Sequence, residues 1–96
     1  MHAVVRNWAG QGASELFDLI EERRADVERL LRGVQGFHSY TLFRTQDGGV
    51  TVTVCDDRAG TEESSRVARE WVRENAAHLS VQPPTMSEGP VLFELT

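Results

Sequence analysis

The stretch Gly36 to Asp57, GFHSYTLFRTQDGGVTVTVCDD, limits what this chain can fold into more than any other. Two runs of strand-forming residues meet at Gln46-Asp47-Gly48-Gly49. Asp-Gly is a strong hairpin signal, because a two-residue primed turn needs positive φ and glycine supplies it without steric cost. With Asp47-Gly48 or Gly48-Gly49 as the loop, the partners move by two residues and each face keeps its members. One face carries Phe37, Phe43, Val50, Val52 and Val54, and reads as the core face. The other carries His38, Tyr40, Leu42, Arg44, Thr51, Thr53 and Cys55. It is neither greasy nor charged, so it is expected to be covered by a second copy of the chain.

The flanks supply the other elements. His2 to Trp8 reads as a first strand, and Gly10-Gln11-Gly12 as a break. Ser14 is placed to cap a helix from Glu15 to Arg32, with Leu16, Leu19, Ile20, Val27, Leu30, Leu31 and Val34 on one side. Arg23 projects into the middle of that stripe. A second helix is expected from Glu62 to His78, with Thr61 as its cap and Val67, Ala68, Trp71, Val72 and Leu79 on its apolar side. Pro83-Pro84 and Gly89-Pro90 mark Ser80 to Pro90 as a loop, leaving Val91 to Leu95 as the last strand. The order is βαββαβ. Right-handed crossovers then give a ferredoxin-like α+β domain over residues 1–96. Its four-stranded antiparallel sheet has order 4-1-3-2, with two helices on one face.

Composition excludes several function classes. The net charge is −5, and all ten basic residues are Arg, with no basic block. Such a chain is a poor nucleic-acid binder, and the strand VTVTV lacks the aromatics of an RNA-reading sheet. No run approaches the ~18 apolar residues of a membrane span. MHAVVRNW has no basic n-region followed by a long apolar run, so the expected location is cytoplasmic. Cys55 is the only cysteine and reads as a small buried hydrophobe.

The first strand VVRNW, the long first helix and the opening Gly36-Phe37-His38-Ser39-Tyr40-Thr41-Leu42-Phe43-Arg44 resemble the dimeric α/β-barrel superfamily. Within it, the chain is similar to the small antibiotic biosynthesis monooxygenase-like proteins. The resemblance implies a homodimer whose outer sheet faces pack into an eight-stranded barrel. It also implies binding, or oxidation without a tightly held cofactor, of a small organic molecule. The third strand ends in Val54-Cys55-Asp56-Asp57, where members of that family often carry aromatics. A non-enzymatic dimer of the stress-associated or scaffold type is the alternative.

Four constellations are candidates for chemistry. Asn7, Trp71 and His78 resemble by residue type the Asn/Trp/His set of haem-degrading oxygenases in the superfamily. A pocket without haem would be lined by Val5, Asn7, Phe43, Val52, Trp71, Asn75 and His78, with His78 and Asn7 as the catalytic pair. Arg23, with Arg44 or Tyr40, could meet an anionic ligand between helix and sheet, or lay its stem on apolar surface. The Gly10-Gln11-Gly12 loop with Arg6 resembles an acylphosphatase-like anion site but lacks the fuller phosphate-loop pattern. His2, His38 and His78 are too far apart for zinc: two open strands ~10 Å apart, and the third lies at the opposite end. No metal is expected.

Overall fold

The computed structural model describes residues 1–96. The elements are β1 (His2–Ala9), α1 (Ala13–Glu22), α2 (Arg24–Arg32), β2 (Phe37–Thr45), β3 (Gly48–Cys55), α3 (Arg58–Asn75), a short 3-10 turn (Ala77–Leu79) and β4 (Thr85–Pro90). The sheet is antiparallel, in the order β2-β3-β1-β4. This is the expected 4-1-3-2 order read from the other edge. The helices cover one face. None is long and apolar enough to cross a membrane.

The helices cover the face opposite to the one expected. Val4, Arg6 and Trp8 of β1 point into the core, and their register partners on β3 are Thr53, Thr51 and Gly49. Tyr40, Leu42 and Arg44 of β2 lie on this same side. Val5, Asn7, Phe43, Val50, Val52 and Val54 form the open face. The reason is steric. Small residues on the inner face let bulky helix side chains approach the sheet. A Cβ on Gly49 would lie 2.2 Å from the Phe17 ring; Gly48, which alternates with it along the strand, is held to glycine by backbone instead, since a Cβ there would lie 2.0 Å from the Trp8 carbonyl oxygen. Trp8, Ala13, Leu16, Phe17, Ile20 and Ala76 form the core on the Gly49 side.

The same packing places the hairpin turn. Thr45 pairs with Gly48 around Gln46-Asp47, and neither turn residue has positive φ. The two glycines therefore belong to β3, where close approach requires them, and not to the loop. A bulge between Phe37 and Ser39 sets Phe37 opposite Cys55 and so moves it off the Phe43 face.

Several boundaries also differ. The first helix breaks at Arg23, whose φ and ψ are −102° and 30°. α1 then follows β1 and β3, while α2 turns over β2 and α3. α1 begins at Ala13 behind Gly12, with no side-chain cap from Ser14. α3 starts at Arg58 because the Asp57 carboxylate accepts from the Gly60 amide at 3.1 Å. Thr61 instead donates to the Arg58 carbonyl at 3.0 Å. The last strand is Thr85–Pro90, within the expected loop. Edge strands tolerate Pro at their ends, and Pro90 is the final residue, paired with His2. Val91 to Leu95 lie beyond the sheet, with the Val91 amide bonded to the Met1 carbonyl at 2.8 Å. Leu92, Phe93 and Leu95 are exposed.

Candidate functional site

The strand alternation that buries Val4 and Trp8 also buries Arg6 between them, at 3% exposure. Its guanidinium donates to Thr53 Oγ1 at 3.1 Å, Ser64 Oγ at 3.0 Å and Ser65 Oγ at 2.7 Å. Each acceptor is a neutral hydroxyl. The carboxylate that feels Arg6 electrostatically, Glu88, is paired elsewhere, with His2 at 3.2 Å and Arg58 at 3.5 Å. Burying a cation whose hydrogen-bond partners are neutral costs desolvation that a carboxylate outside hydrogen-bond range offsets only in part. Burial accordingly pushes the Arg6 pKa below its usual range. Burial pushes the neighbouring Tyr40 phenol upward, against the opposing pull of Arg6.

Arg6 and Tyr40 line a cavity of about 30 Å³ together with Trp8, Leu16, Trp71 and Thr51. Thr51 Oγ1 is fully enclosed and has no hydrogen-bond partner. Most buried hydroxyls are satisfied, so this one is an exception. Ile20, Val27, Leu31 and Tyr40 also line a larger groove of about 770 Å³ between α1–α2 and the edge strand β2. Arg44 holds one end of β2 to α1 through Asp18 and Glu21.

The structure divides the expected pocket between two faces. Trp71 lines the cavity. Asn75 sits one turn later and returns its amide to the Trp71 carbonyl at 3.0 Å. Val5, Asn7, Phe43 and Val52 lie on the open face, so the sheet separates them from Trp71. His78 is exposed on the 3-10 turn. It shares one end of the domain with Asn7, as the topology requires, but not a face. Arg23 is half-exposed beside Asp26, at 3.7 Å. The Asn7, Trp71 and His78 set is therefore not assembled in one place, the residues do not fit a haem site of that kind, and no step is derived through haem. The guanidinium of Arg6 is turned to α3 rather than to the Gly10-Gln11-Gly12 loop.

Sequence reasoning missed the Arg6, Thr51 and Tyr40 grouping. A signal was present: a lone Arg between Val4 and Trp8 in strand alternation, matched by Thr51, Thr53 and Ser64-Ser65 in elements that must pack near it. Cys55 is fully buried, and burial and Asp56 push its thiol pKa upward.

This sheet, with its helices on one side, is a ferredoxin-like α+β architecture. Among solved structures, the chain is similar to the ActVA-Orf6 monooxygenase of Streptomyces coelicolor in complex with nanaomycin D. The identity is 21%, the TM-score 0.66, and the match covers 99% of this chain and 89% of that one. It is similar to a variant of MhuD with two manganese protoporphyrin IX molecules bound per active site, at 15% identity and a TM-score of 0.68, covering 99% and 97% of the two chains. It is also similar to a dimeric ferredoxin-like protein from an uncultured marine organism, at 14% identity and a TM-score of 0.63, covering 99% and 95%. Identities this low show a shared fold alone. No protein-family model matches the chain, and no curated protein sequence matches it.

Proposed function

We propose that this protein is a homodimer that binds a small organic molecule between its helices and its sheet. The observation that carries the reading is the groove of about 770 Å³ between α1–α2 and β2, which shares Ile20, Val27, Leu31 and Tyr40 with the small cavity lined by Arg6, Trp8, Trp71 and Thr51. Convergent polar groups in an apolar pocket are the usual form of a ligand site. The fold it shares with a monooxygenase holding nanaomycin D supports the same reading.

Binding is favoured over catalysis. The ionisable groups of the cavity are Arg6 and Tyr40, and neither is a base near neutral pH. His78, the base expected from the sequence, is not among the lining residues. Oxidation without a tightly held cofactor would therefore need a substrate acidic enough to lose its proton to water, with Arg6 holding the anion.

The dimer is assigned to the open sheet face. Phe43 is 52% exposed there, beside Val5, Val50 and Val52, and the Leu92, Phe93 and Leu95 arm is also bare. Contiguous exposed apolar surface marks an interaction site. A dimeric protein of the same fold supports a second copy as the occupant.

Two measurements test these readings. Sedimentation should give a dimer for the wild type and a monomer for Val52→Asp; a monomeric wild type, or an unaffected variant, refutes the interface. Aromatic fragments should shift the indole N–H signals of Trp8 and Trp71 in heteronuclear NMR. A folded protein whose two indoles respond to no fragment refutes the pocket.

A further inference from the structure

We infer that the ligand of this cavity carries a carboxylate or equivalent oxyanion on an apolar body, and that Arg6 and Thr51 receive the charged end. This deepens the pocket reading above and rests on it. Arg6 is the buried cation of the cavity, and its three protein partners are neutral hydroxyls. Neutral acceptors, with Glu88 taken up by His2 and Arg58, leave the charge only partly matched in a place where water screens it poorly. A ligand anion would supply the missing counter-charge, and charge-assisted hydrogen bonds to a guanidinium are the strong kind.

The second observation is independent of charge. Thr51, 2% exposed, lines the same cavity, and its enclosed hydroxyl has no hydrogen-bond partner within the protein. A hydroxyl can donate to an anionic oxygen. The volume of about 30 Å³ admits roughly two water-sized centres. That matches the two oxygens of a carboxylate and is too small for a ring.

The rest of the ligand belongs in the groove. Ile20, Val27, Leu31 and Tyr40 border both spaces, so an apolar body lying along α1–α2 and β2 can send its charged end past Tyr40 to Arg6. Tyr40, a neutral phenol at physiological pH like any tyrosine, can donate its hydroxyl to the same anion. Tighter binding of an anion than of its neutral isostere is the signature.

Naphthoate and naphthamide have the same ring and nearly the same shape, and they differ in charge. Titrated into the full-length wild type by calorimetry and by NMR of the Trp8 and Trp71 indoles, naphthoate should bind at least about tenfold more tightly than naphthamide. Arg6→Met should abolish that preference while still binding naphthamide. Thr51→Val should reduce the preference severalfold, and it decides the matter with the wild-type ratio if Arg6→Met does not fold. Equal affinities for the two compounds, with both indoles responding, overturn the anion inference and leave the pocket reading standing. Indoles that respond to neither compound overturn both. Naphthoate binding that leaves the indoles unmoved places the anion elsewhere and also overturns the inference.

Discussion

Replacing Gly49 with alanine tests which face of the sheet the helices cover. The new Cβ would sit 2.2, 2.5 and 2.6 Å from three atoms of the Phe17 ring. Ordinary contact begins near 3.4 Å, so the nearest atom must retreat by about 1.2 Å. Phe17 is buried in the core with Trp8, Leu16 and Ile20, and the open space beside it is the groove along α1–α2. Either the ring leaves its rotamer or α1 lifts from β3. Overpacking of this kind costs ~1–3 kcal/mol. For a chain of this size each kcal/mol lowers Tm by ~4–8 °C, so a loss of ~2 kcal/mol gives a drop of roughly 8–16 °C. The opposite face assignment predicts the opposite sign, since alanine on a free strand surface is better than glycine by ~0.5–1 kcal/mol. Thermal and urea unfolding of Gly49→Ala, Phe17→Leu and the double variant measure this. In the double variant, the shorter side chain should recover on the order of 1 kcal/mol through coupling of two residues in contact. A Gly49→Ala protein as stable as the wild type, or more stable, refutes the inward placement of Gly49 and with it the face assignment.

Two further outcomes are expected. Tyr40 is the only tyrosine, so its ionisation can be followed by absorbance alone. Its pKa is raised in the fold above the ordinary 10.0. The neutral phenol therefore contributes stability that is full below pH 10.0 and is lost as pH rises through the folded value. The titration midpoint should lie above 10.0 in the folded protein; a midpoint at or below it with the fold intact refutes the burial. Asp57→Ala removes the acceptor of the Gly60 amide and should cost ~1 kcal/mol in unfolding experiments. An unchanged stability would mean that α3 is not started by Asp57.

Local chemistry made much of this fold legible. The antiparallel hairpin, the amphipathic helices and the strand order follow from periodicity, from breaks at Gly and Pro, and from the handedness of crossovers. The boundaries that shifted did so for identifiable local reasons. Asp57 is a better-placed cap than Thr61, and Pro90 can end an edge strand as well as a loop. The candidate site was far less legible. Trp71 lines the cavity, yet Asn7, Phe43 and Val52 share a strand face that the sheet turns away from it.

Taken by itself, then, the sequence determines which residues alternate together and in what order the elements run, because those depend on neighbours along the chain. It does not determine which alternating set faces inward. Val50, Val52 and Val54 are more apolar than Thr51, Thr53 and Cys55, so a rule that buries the greasier set chooses the wrong side. The tertiary structure decides by volume at one position: Gly49 leaves room for the Phe17 ring, which a side chain there would not. That choice also brings Arg6 inside, against hydroxyls from residues more than forty positions away. A buried charge and an unpartnered hydroxyl then meet in one cavity, a juxtaposition set by packing between helix and sheet rather than by spacing along the chain.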